Sequence, residues 1–584
     1  MLRSHLFWRK QMSSKQKHPW LRLLFALIPI LLVWACQSLP GDKVFINGHV
    51  LTMDEMNTVA SAVAIKKGKI VAVGEYEDVQ PYIHLFTQIV DLKGKTLVPG
   101  FIDAHSHYPG EGLYAIAANL NSPPMGPIKN MEDLLGALTH RAASLQGDNW
   151  LIGFGYDDTL LEERRHPTRA DLDSVSVNLP VWINHISGHF CVVNSKTLAL
   201  VGIDENTPDP AGGVIQRYPG TNIPNGVLEE TAMDFVLEVM PAYTLSQMLS
   251  VIEYANEQYV GKGVTTAQNG LSEKLYIDAL SLCSRLDIQP VRVVVWPTAE
   301  VGRKIVDGSY SVSNMNTDRF AVGAVKIIVD GSIQAYTGFL SEPYHTVPPE
   351  KPADYCGYPR MTQEELMKEM IYFHEAGLQV AVHGNGDQAI DMIINAFEQA
   401  QKIYPREDAR PIIIHAQMTR EDQLDRMKDL MMIPSFFSLH TYYWGDRHMD
   451  LFMGPQRAKR MSPARSAAEK GLRFTIHTDS PVVPMDPMLL IWSAVNRLAY
   501  ATETPIYAED PAEDQRISPL QALRAVTIDA AWQLHLEETR GSIEVGKFAD
   551  LVVLSENPLE HPETIRDIDV IETIMGGRTV YAAQ

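Results

Sequence analysis

Eight apolar segments of strand length recur along the middle of the chain, and each ends in polar residues or glycine. Most are followed by a helical pattern, and near-continuous apolar strands alternating with helices indicate a parallel sheet buried on both faces. Eight such units predict an α/β fold, a (β/α)8 TIM barrel. The segments are TLVPGFIDAHSH from Thr96, GVTTAQNG from Gly263, VRVVVWP from Val291, FAVGAVKIIVDGS from Phe320, LQVAVHGNGD from Leu378, RPIIIHAQ from Arg410, MIPSFFSLH from Met432 and LRFTIHTDSP from Leu472.

The polar residues at the ends of these segments are unusual for turns. Turns favour Asn, Ser, Gly and Asp, but here five histidines and one lysine accumulate. In a TIM barrel the carboxyl ends of the strands form the active site, so we predict a functional site there. Its members are His105, His107, Lys326, His383, His415, His440 and Asp479.

Both ends of the chain show a different sequence pattern, in which short β-rich runs are separated by glycine turns. KVFINGHVLTM begins at Lys43, and GKFADLVVL and VIETIMGGRTVY lie near the other end. We predict that residues 43–97 and 536–584 form one small flanking β-sandwich, with the barrel over 98–535. The stretch from about 110 to 248 does not fit one βα unit, and we predict an inserted subdomain after the first barrel strand.

The first 36 residues resemble an export signal. Basic residues precede an apolar run from Leu23 to Ala35, about 13 residues and shorter than the roughly 20 that span a bilayer. VWAC resembles a bacterial lipobox, with Cys36 as the lipidated residue; ordinary cleavage nearby and an uncleaved anchor are alternatives, and the chain starts at Met1 or Met12. We expect an exported bacterial lipoprotein, anchored in the membrane at the periplasmic face.

The net charge of −21 argues against a nucleic-acid partner, because phosphate binding needs a concentrated basic face. The partner that we expect is a small-molecule substrate. A homo-oligomer is compatible with the sequence.

His105 and His107 have the spacing of two metal ligands. Residues i and i+2 of a strand point to the same face, and imidazole nitrogens bind Zn²⁺ and similar ions. His383, His415 and Asp479, at later strand ends, would complete the cluster. Only closure of the barrel brings these residues together, so the metal prediction depends on the fold prediction.

Lys326 is out of place in such a cluster, because an ammonium group has no lone pair and is repelled by divalent cations. It fits if its pKa is lowered, so that the neutral amine captures CO₂ and becomes an anionic carbamate that bridges two metals. The alternative is an unmodified lysine that pairs with Asp330 or extends outward.

The motifs PGFIDAHSH, VKIIVDGS, VHGNGD, IHAQ and HTDSP, with GKFADLVVL, resemble the amidohydrolase superfamily. The resemblance is greatest to the amidohydrolase 3 group, which includes N-substituted formamide deformylase, and it spans about Lys43 to Tyr581. It implies that His105 and His107 bind one metal and that His383 and His415 bind a second. Carboxylated Lys326 would bridge the two, and Asp479 would sit beside the bridging water.

The resemblance also implies a reaction, hydrolysis of a non-peptide C–N bond in an amide, N-formyl or N-acyl compound. One or two divalent ions, Zn²⁺ by expectation, would activate water to hydroxide, and Asp479 would act as general base and then as general acid. His189 or His440 would stabilise the substrate carbonyl. An esterase or lactonase with the same metal site is the alternative, followed by a non-catalytic metal- or ligand-binding lipoprotein.

Overall fold

The computed structural model describes residues 42–145, 149–188, 190–210, 213–241, 243–348 and 351–583. The signal segment predicted over residues 1–36, the lipidation site Cys36 and the substrate residue His189 lie outside these ranges. Within them, no helix combines the length and the apolar composition needed to cross a membrane.

Parallel strands in chain order form the centre of the molecule, as two sheets. Every strand pair within these sheets is parallel. The first sheet contains Phe101–Ile102, Val264–Ser272, Arg292–Pro297 and Phe320–Val322, and the second contains Val325–Ile328, Val380–Gly384, Ile412–His415, Ile433–Phe436 and Thr475–Ile476.

Two of the eight predicted strand segments are broken in the structure. The first breaks at Gly100, so that Thr96–Pro99 pairs in a flanking sheet and only Phe101–Ile102 joins the central strands. A side chain at Gly100 would collide with Thr265, so the close approach requires glycine here. The segment from Phe320 breaks after Val322, and its two halves belong to different sheets.

The two central sheets meet at both edges without a continuous hydrogen-bond ladder. On one side a single parallel bridge joins Thr298 to Lys326. On the other, the backbone N–H of Asp479 donates to the carbonyl of His105 at 3.1 Å. The regular first strand ends at Ile102, yet the backbone beyond it is still bonded to the segment after the last strand. This contact holds the first and last segments side by side.

Helices follow the central strands and pack their apolar faces against them. The helix Asp387–Ile403 buries Ile390, Ile393, Ile394 and Phe397, which is the i, i+3, i+4, i+7 pattern of one helix face. The main helices are Leu245–Gly261, Lys274–Arg285, Ala299–Val306, Gln363–Glu375, Asp387–Ile403, Glu421–Asp429, Gly454–Arg460, Ala464–Glu469, Pro487–Asn496, Pro519–Ala525 and Ile528–Gln533.

The two ends of the described chain form two further sheets that share one hydrophobic cluster. Arg292 of a central strand ties this region to the core, because its guanidinium makes a buried two-point ion pair with Asp550, at 2.6 and 2.9 Å. The four-stranded sheet contains Lys43–Ile46, Ala62–Lys66, Lys69–Gly74 and Gln88–Asp91, and the six-stranded sheet contains His49–Leu51, Val59–Ala60, Thr96–Pro99, Leu551–Leu554, Val570–Met575 and Arg578–Ala582.

Between the first two central strands lies another six-stranded sheet. Two of its strands, Leu151–Tyr156 and Val181–His185, run parallel, so their carboxyl ends meet at one edge. The other strands are Ala118–Asn119, Phe190–Val193, Gly213–Arg217 and Pro224–Glu230, and the helices beside the sheet are Met131–Ala143, Arg169–Val175 and Ser195–Val201.

Candidate metal centre

His105 and His107 converge on the carboxylate of Asp479. The Nε2 atoms of the two histidines lie 3.4 and 3.3 Å from the same oxygen, Oδ1 of Asp479. The ligand atoms of the three residues all lie within 4.8 Å of one another. His105 is fully buried, whereas the side chain of His107 is 34% exposed, so His107 forms the solvent-facing side of the cluster.

Gln268 fixes which nitrogen of His105 carries the proton. The side-chain oxygen of Gln268 accepts a bond from the backbone N–H of Ser106 at 3.3 Å, which orients the amide, and it lies 3.1 Å from Nδ1 of His105. Nδ1 must therefore be the donor. The lone pair of Nε2 then faces Asp479, and a cation between two such acceptors would relieve their repulsion.

His383 is oriented in the same way by Asp330. Nδ1 of His383 lies 3.2 Å from Oδ1 of Asp330, which leaves Nε2 with the lone pair. Asp330 is itself fixed, because its carboxylate accepts backbone N–H bonds from Phe339, Asn385 and Gly386 at 2.9 to 3.0 Å.

His415 belongs to the same cluster and has a strained backbone. Its Nε2 lies 4.0 Å from Oδ2 of Asp479, and its ring centre is 4.6 Å from that of His383. His415 and Asp479 have φ angles of 72° and 56°, in the left-handed region that side chains other than glycine rarely adopt. Such strain in two neighbouring site residues is typical of functional sites.

Lys326 points into this cluster. Its Nζ lies 3.4 Å from Nε2 of His105, and the residue is 4% exposed. Burial lowers the pKa of Lys326 to about 7, although the charge of Asp479 opposes the shift. A substantial fraction of the amine is therefore neutral near pH 7, which is the form that reacts with CO₂.

The electrostatics of the cluster favour ligands with free lone pairs. Burial, reinforced by the charge of Lys326, holds the pKa of His105 well below its ordinary value, and burial does the same for His415. Both rings are neutral at pH 7. Burial opposes ionisation of Asp479, but the neighbouring His107, His477 and Lys326 together outweigh it and lower the pKa of the carboxyl. Neutral imidazoles beside a carboxylate suit a divalent cation.

Three members of the cluster, His383, His415 and Asp479, line a cavity of about 270 Å³. The inserted segment also contributes to the lining, at the carboxyl ends of the two parallel strands Leu151–Tyr156 and Val181–His185. The cavity is lined by His383, His415, Asp479, His440, Asn385, Phe437, Tyr336, Trp444 and Arg447 on the side of the central strands and by Asp157, Asp158, His166, His185 and Phe190 on the other.

The structure brings the six predicted ligands together, and their roles in metal binding stay predictions. Predicted substrate residue His440 is 3% exposed and lines the cavity. Sequence reasoning missed His477, whose Nε2 lies 3.2 Å from Nδ1 of His415, and it missed Gln268. His477 precedes Asp479 by two positions, the spacing that drew attention to His105 and His107; nothing in the sequence singled out Gln268.

The comparisons with known proteins agree with this chemistry. A model of the amidohydrolase family matches residues 88–581, and the chain therefore belongs to the amidohydrolase family. N-substituted formamide deformylase of Arthrobacter pascens is 26% identical over 554 residues, 92% of this chain and 98% of the relative. Protein LONG AFTER FAR-RED 3 of Arabidopsis thaliana is 27% identical over 552 residues, 93% of this chain and 92% of the relative.

A solved structure supports the same class. An uncharacterized metal-dependent hydrolase from Pyrococcus horikoshii OT3 is 27% identical, with a TM-score of 0.72 over 90% of this chain and 99% of that chain. The predicted family is confirmed, and so is the TIM-barrel type of α/β fold. The chain is a metal-dependent hydrolase with a divalent metal site, and the donor set described above fits such an ion.

Replacing Gln268 tests whether the orientation of His105 serves metal binding. Gln268→Met keeps the size of the side chain but removes the acceptor for Nδ1 of His105. We expect metal affinity to fall by about 10- to 100-fold, measured by competition with a chromogenic chelator. Gln289→Met, at another buried glutamine, is the matched control. Equal metal affinity of wild type and Gln268→Met would remove this role.

Proposed function

We propose that the chain hydrolyses a non-peptide C–N bond in a small amide, N-formyl or N-acyl compound. The observation that carries the proposal is the convergence of His105, His107 and Asp479 within one small cluster, with Asp479 in the lining of the cavity. The deformylase relative acts, by its name, on N-substituted formamides, which are amides of this class. An ester or lactone would meet the same groups, so a substrate screen includes both.

Six side chains would hold the metal. His105 and His107 would bind one ion and His383 and His415 a second, with Lys326 between them and Asp479 at the water. When bound, a divalent ion, Zn²⁺ by preference for imidazole ligands, supplies a water of lowered pKa and polarises the amide carbonyl.

Lys326 becomes compatible with this donor set through one covalent step. The lone pair of neutral Nζ attacks the carbon of CO₂ and forms a C–N bond, while one C=O π bond breaks and leaves its electron pair on oxygen. One proton then leaves the nitrogen to solvent. The resulting carbamate carries a negative charge where the ammonium carried a positive one. The burial that lowers the pKa of Lys326 favours this step because it raises the neutral fraction.

In this proposal Asp479 transfers the proton. Its lowered pKa keeps the carboxylate ionised at neutral pH, so it can accept the proton of the attacking water and donate it to the leaving nitrogen. His440 lines the same cavity and would bond the substrate carbonyl or the oxyanion. Its Nδ1 has no hydrogen-bond partner among the described residues. His189 is proposed for the same role on sequence grounds alone.

Replacing Asp479 separates proton transfer from binding. We expect Asp479→Asn to lower kcat on N-formyl and N-acyl amines by about 10²- to 10⁴-fold while most of the metal stays bound by the other side chains. Asp569→Asn, at an exposed aspartate far along the chain, controls for the change of carboxylate to amide. Full activity of Asp479→Asn would exclude the proposed role.

A carbamate at Lys326 predicts chemical rescue. Lys326→Ala should lose metal and activity together, and millimolar acetate or propionate should restore part of both, because a free carboxylate can occupy the space of the carbamate. Lys304→Ala, at an exposed lysine, should show neither loss nor rescue. Lys326→Ala that keeps its metal without added carboxylate would contradict the bridge.

We also propose that the chain is exported and anchored through a lipid on Cys36, on the strength of the VWAC motif and the apolar run before it. Metabolic labelling of a bacterial host with a radioactive fatty acid should mark the full-length protein, and Cys36→Ser should abolish the label and release the protein from the membrane fraction. Cys283→Ser is the control. Label retained by Cys36→Ser would refute the anchor.

A further inference from the structure

The cavity beside the metal centre is also lined by a second group of ionisable residues, which belong to the inserted segment. Asp157 and Asp158 follow the strand Leu151–Tyr156, and His185 ends the neighbouring parallel strand. Their ligand atoms lie within 4.8 Å of one another. The mechanism proposed above uses none of them, although all three line the cavity.

Asp157 is already neutralised. Nη1 of Arg447 donates to its Oδ2 at 3.1 Å, and Thr159 donates to its Oδ1 through both the backbone N–H and the hydroxyl, at 2.9 and 2.6 Å. The guanidinium so close to Asp157 also opposes a divalent ion between the three residues. A second metal site is therefore not the best account of this group.

Asp158 differs because its hydrogen-bond donor is an imidazole rather than a guanidinium. Nδ1 of His185 accepts the backbone N–H of Ser187 at 3.1 Å, so the proton of the ring sits on Nε2, which donates to Oδ1 of Asp158 at 3.1 Å. Burial keeps the nearby His166 neutral by lowering its pKa. Within the described ranges no lysine or arginine forms an ion pair with Asp158, so its negative charge is left to the cavity.

The surroundings of Asp158 suit an organic cation. Its side chain is 24% exposed, and the rings of Phe190 and Tyr336 line the same cavity. Aromatic faces attract ammonium and guanidinium groups. Independently, the buried His440 lines the same cavity, and its Nδ1 has no partner in the described part of the chain, so a polar ligand beside this ring would satisfy a group that the protein leaves unpaired.

We propose that Asp158 binds a positively charged group at the end of the substrate remote from the scissile bond, and that His185 positions it. The substrate class is then an amide that carries an alkylammonium or guanidinium group. The inference rests on the proposed amide hydrolysis and narrows it. In this arrangement the metal centre would bind the carbonyl group of the substrate, and Asp158 of the inserted segment would bind its positively charged group.

A matched substrate series tests this with the metal-loaded full chain. The probes are N-formyl α,ω-diaminoalkanes with two to six methylenes and N-formyl n-alkylamines of equal length, in which a methyl group replaces the ammonium. We expect wild type to favour the charged member at one optimal length. Asp158→Asn should lower the ratio of the two kcat/KM values by about 30-fold or more. Glu205→Gln, at an exposed carboxylate of the inserted segment, should leave the ratio as in wild type.

Asp158→Glu tests direct contact with the substrate, because a purely structural role of Asp158 would leave the optimal chain length of the substrate unchanged. Its side chain is one methylene longer, so the optimal diamine should be one methylene shorter. Equal or better hydrolysis of the neutral members by wild type would overturn the proposal. So would an equal loss on charged and neutral substrates in Asp158→Asn, or an optimal length that does not change in Asp158→Glu.

Binding to the turnover-deficient Asp479→Asn variant separates this proposal from the proposed reaction. Calorimetry should show tighter binding of the charged formamide than of the neutral one, and adding Asp158→Asn should remove the difference. If no amide is hydrolysed but this preference is found, the proposed reaction fails and the cation site stands. If amides are hydrolysed and no preference is found, the cation site fails alone.

Discussion

The metal centre depends on two hydrogen-bond acceptors, an imidazole nitrogen and a carboxylate, that face each other. Among the residues that the structure describes, no side chain with a permanent positive charge separates them. Gln268 places the proton of His105 on Nδ1, so the lone pair of Nε2 faces the carboxylate of Asp479 at 3.4 Å. Lys326, the nearest amine, has a pKa of about 7 and does not supply a full positive charge near neutrality. A metal ion held by these residues would resolve this repulsion, and the strand ends converge around the position that it would take.

The sequence predicted much of this site because strand ends of a parallel α/β fold share one edge. The two histidines of HSH and Asp479 of HTDSP meet although 371 or more residues separate them, through the backbone bond between His105 and Asp479. The regular strand was predicted to run to His107 and ends at Ile102 instead. The i, i+2 spacing nevertheless remained a useful guide, because both rings reach one carboxylate.

Other features depend on three-dimensional neighbours that a single sequence does not show. Gln268 and His477 act through hydrogen bonds to His105 and His415, and no spacing rule marks such partners. Asp158 lies in the inserted segment, whose distance from the metal centre depends on how its sheet packs. The break at Gly100 likewise follows from close contact with Thr265. The local sequence pattern predicts the type of each helix or strand well. The pairing of the strands and the tautomers of the histidines depend on packing in three dimensions.

The central claim is that these lone pairs hold metal. Crystals of the metal-loaded protein, measured with X-rays just above and below the absorption edge of zinc, test it most directly. The account predicts an anomalous peak within coordinating distance of His105, His107 and Asp479. If a second ion is bound, its peak should lie beside His383 and His415. An active enzyme whose crystals show no peak at these residues, or only one elsewhere in the molecule, would contradict it.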